Sequence, residues 1–361
     1  MGVETTCWEL REAGQPLVEV SRTLADPGAG EVIVEIFANG MCHTDLGFWD
    51  GSVRSNKGLP LVLGHEAVGR VVATGEGAGD WLDRVVIVPA VLPCGDCEYC
   101  DAKRGNACLA QKMPGNDIDG AFASHMLVPA APLVAIVDPP VGFDLRLLSV
   151  VADAVSTAYQ AVRRAELKAG DLAVVVGAGG VGGFVVQIAA ALGARVVAMD
   201  VAEDRLSLLR EHGAEAVVPL QGLDARGGRR ALRELTQNWG VSSLRTKIFE
   251  CAGVGAAQAQ AFALIGRGSV MVQVGFSRDK ADVRLGNLMA FDATVHGTWG
   301  CPPEIYPEVL KLIFAGKVAI APFVEFAPMS EVNRVLDDMA HHRLTRRIIL
   351  ANLSNTGGVK S

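Results

Sequence analysis

The sequence predicts an α/β chain in two parts, a β-rich first part followed by a doubly wound parallel sheet. Three observations predict it. Short β-branched runs separated by Gly, Pro and Asp fill the first part of the chain. From residue 156 onward, strand-like and helix-like segments alternate, as in a parallel sheet with crossover helices. Between the first such strand and its helix lies a glycine-rich turn, "VVVGAGGVGG". A length of 361 residues also suits two domains.

The elements follow in order. "EVIVEIFANG", "GRVVATGEG", "RVVIVPAV" and "HMLVPA" read as strands of a barrel or sandwich. "STAYQAVRRAEL" reads as a helix that ends at "KAGD". "LAVVVGAG" is a buried strand, "GVGGFVVQIAAALG" a helix and "ARVVAMD" a second strand. "AEDRLSLLREHG" is an amphipathic helix with a glycine stop. "AEAVVPL", "TKIFECAG" and "SVMVQVGF" supply further strands. From about Gly300 come two helical stretches, "PEIYPEVLKLIFAG" and "SEVNRVLDDMAHH", and a last strand, "RRIILANL".

Composition narrows the class. Half the residues are hydrophobic, glycine is abundant at 41 and aromatics are sparse at 6%, a mix that suits an α/β enzyme with tight turns. The net charge of −7 argues against a nucleic-acid partner. The first residues carry no basic run followed by an apolar stretch, so no signal peptide is expected. The most apolar region, around 172 to 199, is interrupted by Gly and Arg, so no membrane span is expected. There are eight cysteines, and four of them, Cys94, Cys97, Cys100 and Cys108, lie within fifteen positions. Without an export signal, such clustering reads as metal ligation in a reducing cytoplasm. Cys7, Cys251 and Cys301 read as buried packing residues.

Gly177, Gly179 and Gly182 have G-x-G-x-x-G spacing after a strand and at a helix start. The first glycine permits the tight turn, the second lets backbone approach a pyrophosphate, and the third allows close helix–strand packing. The helix N-terminus then offers free N–H groups to an anion. Asp200 ends the next strand, at about the ~20-residue offset of a ribose-binding acid. A carboxylate there accepts the 2′-hydroxyl and repels a 2′-phosphate, so NAD is favoured over NADP. The alternative is a plain strand–turn–helix with a surface Asp.

Two metal sites are expected. The C-x2-C-x2-C-x7-C run can close a tetrahedral thiolate shell with no open position, which predicts a structural zinc. Iron–sulfur ligation and four free thiols are the competing readings. A second, dispersed set comprises Cys42, His43, Thr44 and Asp45 in "NGMCHTDLG" with His65 and Glu66 in "VLGHEAVG". Asp153, in "VVADAVSTAY", stands alone among small and apolar residues. Burying an unpaired carboxylate is costly, so a helix start, a cation or a metal should compensate it. As a helix N-cap it would precede Ala-Val-Ser-Thr-Ala-Tyr.

Together "GMCHTDL", "GHEAVG", the four-cysteine lobe, "GAGGVGG" and the ordered "ECAG" and "VGF" segments resemble the zinc-dependent medium-chain alcohol dehydrogenases over nearly the full chain. The resemblance implies a GroES-like β-rich catalytic domain over 1–155, an inserted Rossmann NAD-binding domain over 156–299, and a segment over 300–361 that returns to the catalytic domain. It implies two zinc ions per chain, one structural and one catalytic. Cys42, His65 and Asp153 match ligands of the catalytic zinc, and Thr44 matches the hydroxyl that contacts the substrate alcohol. Asp45 matches a carboxylate that orients the ligand histidine, and Glu66 matches an acid beside the zinc. Gly177, Gly179, Gly180, Val181, Gly182, Asp200 and Arg205 match nucleotide contacts. His43 and Arg346 match groups that face the cofactor pyrophosphate.

The implied chemistry is NAD-dependent oxidation of a secondary alcohol to a ketone by a homo-oligomeric enzyme. At the place where many members carry the last histidine of a proton relay, this chain has Gly47. Three stretches, "VPAVLPCGDCEYC", "GNACLAQKMPGNDIDGAFASHM" and "VADAVSTAYQAV", further resemble members that oxidise 6-hydroxycyclohex-1-ene-1-carbonyl-CoA in anaerobic benzoyl-CoA degradation. A CoA thioester would need cationic anchors, for which Arg22, Arg229, Arg230, Arg343, Arg346 and Arg347 are the candidates. A free secondary alcohol or polyol is the alternative substrate. Two rival functions are an enoyl reductase of the same superfamily, against which the Cys42–His65–Asp153 set argues, and a non-catalytic NAD-binding zinc protein.

Overall fold

The computed structural model describes residues 2–352, and these divide into two units. One comprises the residues up to Asp153, Gly300–Glu308 and those from Ile320 onward. The other comprises Ala154–Trp299 and Val309–Ala319. Among the described residues, no helix is long and apolar enough to cross a membrane.

The first unit is built on one long strand, Glu31–Gly40. Its sequence is apolar on both faces, and accordingly Val32, Ile33, Val34 and Ile36 are all fully buried. Ala67–Thr74 pairs along one edge. The other edge is shared: residues 31–35 pair with His125–Pro129, and residues 38–40 pair with Arg347–Ala351. All three pairings are antiparallel. Two register shifts interrupt the pairing with Ala67–Thr74, between Ile33 and Val34 and between Ile36 and Ala38. Such bulges bend a strand and re-aim its end, here the end that runs on into Met41 and Cys42. Val85–Val88 and Val134–Ala135 extend the sheet one way, and Val324–Pro328 extends it the other. A smaller sheet holds Glu4–Leu10 between Val18–Thr23 and Leu61–Val62. Met41, Phe48, Leu61, Leu63, Phe122, Leu336 and Leu350 form one apolar cluster, which packs the segments on either side of Cys42 and His65.

The second unit is a six-stranded, wholly parallel sheet. Its spatial order is Ala216–Pro219, Arg195–Asp200, Leu172–Val176, Thr246–Glu250, Val270–Gln273, Thr294–Gly297. Numbered by sequence that is 3-2-1-4-5-6, the doubly wound Rossmann order, with a switch point beside the first strand. "LAVVV" and "RVVAMD" read as continuous apolar runs because both faces of a parallel sheet are covered. The fold class is therefore that expected, α/β with a GroES-like β-rich unit and a Rossmann sheet.

Six strands escaped the sequence reading: Glu4–Leu10, Val18–Thr23, Leu61–Val62, Val134–Ala135, Thr294–Gly297 and Val324–Pro328. "VEVSRT" and "TVHG" are largely exposed edge segments, so burial imposes little apolar pattern on them. The helix expected from Ser156 begins at Ala154.

Within the first unit, a charged cluster ties the loop that carries Asp119 to the Val18–Thr23 strand. Asp119 receives Arg22 and Lys57, each at 2.7 Å, and the Val62 N–H at 3.1 Å. Burial alone would raise the Asp119 pKa, but the bonds from Lys57, Val62 and Arg22 outweigh it and hold the carboxyl below its ordinary value. A depressed folded-state pKa gives stability above the unfolded value, lost as pH falls through the folded one. Asp119→Asn should therefore cost about 1–2 kcal/mol at pH 7. The gap between variant and wild type should close as the pH falls below about 4. Urea midpoints measured across that range check both the size and the direction.

Candidate metal centres and nucleotide site

The dispersed set comes together in the first unit. The Glu31–Gly40 strand delivers Met41 and Cys42, and Cys42 N-caps the short helix His43–Trp49. Asp45, at the third position of that helix, accepts the Cys42 backbone N–H at 3.0 Å, half of a capping box. The other Asp45 oxygen accepts the Gly64 N–H at 3.1 Å and lies 3.1 Å from His65 Nδ1. Asp45 and His65 are both buried. The Nδ1–carboxylate bond places the proton on Nδ1, which leaves Nε2 with a free lone pair.

His65 Nε2 is buried and has no hydrogen-bond partner. It faces Asp153 Oδ2 at 3.7 Å, and that oxygen lies 4.0 Å from Cys42 Sγ. The ligand atoms of Cys42, His65, Glu66 and Asp153 all fall within 4.8 Å of one another. An orphaned imidazole nitrogen between a thiol and a carboxylate is a donor set that fits zinc. Burial opposes a charge on His65, but Asp45 and Asp153 outweigh it and hold its pKa well above the ordinary value. A proton and a cation thus compete for Nε2. The Cys42 thiol also lies 3.6 Å from the Thr44 hydroxyl.

Asp153 ends a 3-10 segment, Leu145–Ala152, directly before the Ala154–Arg164 helix. Its backbone neighbour is anchored twice. The Ala152 carbonyl accepts the Ala90 N–H at 3.0 Å and the hydroxyl of buried Tyr306 at 2.6 Å. Glu66 is fully buried and ion-pairs with Arg347. Burial pushes the Glu66 carboxyl up to about 7 against the pull of Arg347. Burial likewise opposes the Arg347 charge, but Glu66, Cys42 and Asp153 outweigh it and keep the guanidinium charged.

The four clustered cysteines form a second donor set. Sulfur–sulfur distances are 3.4 Å for Cys94–Cys108, 3.6 Å for Cys97–Cys100, 3.7 Å for Cys97–Cys108 and 3.9 Å for Cys94–Cys100. A tetrahedron with zinc–sulfur bonds of about 2.3 Å has edges of roughly 3.8 Å. The set therefore fits a closed tetrahedral ion. The Cys100 backbone N–H pulls the Cys97 thiol down to about 7, against burial and with help from the neighbouring thiols.

In the second unit, the glycine turn has the geometry its spacing predicts. Gly177 has φ +94°, and a Cβ there would lie 2.5 Å from Ala252 N. A Cβ on Gly182 would lie 1.8 Å from the Gly177 carbonyl oxygen. At Gly179 the space is open, with nothing nearer than Arg205 Nη1 at 3.8 Å. The helix Gly180–Ala191, which includes Val181 in its first turn, starts there. Asp200 accepts the Ala178 N–H at 2.6 Å and the Ala202 N–H at 2.9 Å. Gly177, Gly179, Gly180, Gly182, Asp200 and Arg205 thus meet around one helix N-terminus, where an anion is favoured.

The remaining expected residues are scattered. His43 is exposed at the start of its helix. Arg346 is half exposed and lies 3.6 Å from Glu325. Most candidate thioester anchors already hold carboxylates: Arg22 has Glu9 and Asp119, Arg343 has Asp337 and Asp338, and Arg347 has Glu66. Arg230 lies 4.0 Å from Glu234. Cys7 and Cys301 are buried, and burial pushes the Cys251 thiol well up. Three residues next to the donor set carried no sequence signal: Asn39, Arg347 in its role as partner of Glu66, and Tyr306. Asn39 and Gly40 end the strand that the sequence reads over 31–40, and nothing in that run marks Asn39 as a partner of Glu66.

Two family profiles match this chain. One, described as an alcohol dehydrogenase GroES-like domain, covers residues 28–138, and the other, described as a zinc-binding dehydrogenase, covers residues 180–315. An alcohol dehydrogenase of Moraxella sp. (strain TAE123) is 29% identical over 345 residues, 94% of this chain and 97% of that protein. One from Geobacillus stearothermophilus is 29% identical over 351 residues, 95% of each chain. A thermostable alcohol dehydrogenase from Pyrobaculum aerophilum, solved with cobalt and zinc bound, superposes with a TM-score of 0.82 at 25% identity, over 97% of this chain and 100% of that one. The chain belongs to the zinc-dependent medium-chain alcohol dehydrogenase family, oxidoreductases that act on CH–OH groups.

The Tyr306 hydroxyl supplies one of the two bonds to the carbonyl that precedes Asp153. Tyr306→Phe should cost about 1 kcal/mol, because the Ala90 N–H still satisfies that carbonyl. Chemical denaturation of the two proteins reads this difference directly.

Proposed function

We propose that the chain oxidises a secondary alcohol to a ketone with NAD, assisted by zinc held on Cys42, His65 and Asp153. The single observation that supports this reading most is the buried, unpartnered His65 Nε2 facing a thiol and a carboxylate. A second, structural zinc would be held by Cys94, Cys97, Cys100 and Cys108. A bound catalytic zinc would supply Lewis acidity to the substrate hydroxyl, and bound NAD would accept the hydride.

The chain's own residues prepare that chemistry. Asp45 keeps the His65 proton on Nδ1, so Nε2 stays a donor. With zinc bound, thiolate Cys42, carboxylate Asp153 and neutral His65 would offset the dication, so the set would carry no net charge to repel an alkoxide. Arg347 engages Glu66, so Cys42, His65 and Asp153 would be the residues that hold the ion. Thr44 takes the hydrogen bond of the substrate hydroxyl and passes the proton on. Gly47, where many members of the family carry a histidine, has no side chain to receive it. Asp200 would accept a ribose 2′-hydroxyl and repel a 2′-phosphate, which favours NAD over NADP.

For the substrate, a free secondary alcohol or polyol fits the site as well as a CoA thioester does. The thioester reading, 6-hydroxycyclohex-1-ene-1-carbonyl-CoA to its 6-oxo enone, rests on the three stretches quoted above. Of its candidate anchors, only Arg229 lacks a carboxylate partner among the described residues. Eight free cysteines support a reducing, cytoplasmic setting. The exposed sheet edge at Thr294–Gly297, where Leu285, Leu288 and Val295 line one apolar recess, supports a homo-oligomer.

Two measurements test this reading. Zinc analysis should find two ions in the wild type and one in Asp153→Ala, which should also lose activity at least about 100-fold. Retention of both ions and full activity would return Asp153 to a helix-start role. A substrate panel of simple secondary alcohols, polyols and cyclic hydroxyacyl-CoA esters, each offered with NAD and NADP, should give reduced cofactor with NAD preferred. Turnover of free alcohols alone excludes the thioester, and no turnover with any alcohol removes the dehydrogenase reading.

A further inference from the structure

We infer that Asn39 and Gly40 are a positioning pair for the Cys42–His65 metal site: Asn39 fixes the backbone that carries His65 and Glu66, and Gly40 leaves the room that the Glu66 carboxylate occupies. The inference rests on the proposed reading of that cluster as a metal site.

Asn39 is completely buried at the end of the long central strand. A carboxamide has both donors and an acceptor to satisfy. Its Oδ1 accepts the Glu66 N–H at 3.1 Å, and its Nδ2 donates to the Gly40 carbonyl at 2.8 Å. The Gly40 N–H in turn donates to the Glu66 carbonyl at 2.9 Å. Both backbone groups of Glu66 are therefore held by residues 39 and 40. The second is a backbone–backbone bond just beyond the paired strands. The first needs a side-chain acceptor, because the chain arrives at His65 from a turn at Gly64, where φ is +96°.

The same dipeptide lies two residues before Cys42. The carboxamide thus ties the segment that bears the thiol to the segment that bears the imidazole. Asp45 grips the ring of His65 and the backbone of Cys42 and Gly64. Asn39 grips the residue that follows His65. With both held, the His65 ring and the backbone that follows it are each anchored.

Gly40 acts by its missing side chain. A Cβ there would lie 2.1 Å from Glu66 Oε2, 3.0 Å from Val150 Cγ1 and 3.2 Å from Glu66 Cβ. Its backbone is not in the left-handed region, so the need is for space and not for conformation. Any side chain would press on Glu66, which Arg347 engages, and on Val150, three residues before Asp153. Gly40 therefore meets the segments that carry two of the three proposed ligands and adjoins the third.

The test compares metal release and the cobalt spectrum in the full-length holoenzyme. Asn39→Leu keeps a branched side chain of similar size and removes both hydrogen bonds. It should release the Cys42–His65 metal to a chelating dye about 10- to 100-fold faster than wild type. The four-cysteine metal should leave at the wild-type rate. Asp153→Ala, which lacks the first phase, assigns the two phases. With cobalt in the catalytic position, both Asn39→Leu and Gly40→Ala should shift the visible absorption bands, a change in ligand geometry that simple loss of stability does not produce. Should Asn39→Leu fail to fold, Asn39→Ala is read in the same way. Unchanged release and an unchanged cobalt spectrum overturn the inference, and so does equal acceleration of both metals. A wild-type chain that holds only the four-cysteine metal overturns the metal-site reading itself, and the inference with it.

Discussion

The buried carboxylate of Asp45 is the constraint on which the rest of the proposed catalytic centre depends. It accepts backbone N–H groups from Cys42 and Gly64 and pairs with the ring of His65. These donors come from two segments about twenty residues apart in sequence, and one carboxylate draws them into a single wall. Bonds to an ionised acceptor are short and strong, and the low dielectric around a fully buried group strengthens them further. The same bonds decide chemistry as well as shape, because a proton held on Nδ1 leaves Nε2 as the only ring nitrogen able to bind a cation.

Charge balance is the second constraint. Cys42, Glu66 and Asp153 place three acidic groups within reach of one another. Buried acids of like sign cannot all ionise without compensation. Arg347 compensates one of them from the C-terminal strand, which pairs with the strand that leads into Cys42. Breaking such a buried pair strands the surviving charge and costs several kcal/mol, about 3–5. The tail strand is thus more than a sheet edge, since it carries the cation that opposes the effect of burial on Glu66 beside His65.

The legible parts of the sequence were those where neighbours in the chain are neighbours in space. The four cysteines sit on one lobe, and their spacing alone predicts a closed tetrahedral set. The glycine turn, the helix after it and Asp200 belong to one strand–helix–strand unit, so their order and spacing carry the geometry. Gly177 and Gly182 are explained by contacts within that turn and with Ala252, and the open space at Gly179 is what a close backbone approach requires. The dispersed ligands were legible only through the resemblance to a known family, because no periodicity connects Cys42, His65 and Asp153.

Other residues gave no local sign of their place. Asn39 and Gly40 read as the end of a strand, but nothing local shows that Glu66 and Ala67 meet them from far along the chain. Tyr306 reads as one more apolar helix residue, yet its hydroxyl reaches the carbonyl before Asp153. Arg347 reads as one member of a basic tail, and only the sheet brings it to Glu66. The sequence by itself determined the fold class, the glycine turn and the four-thiol set, because residue type and short spacing set these, while its family resemblance named the dispersed candidate ligands. Tertiary structure alone decided which carboxylate meets His65 and which meets Arg347, because the distances between groups on separate strands are set by the packing of the sheet.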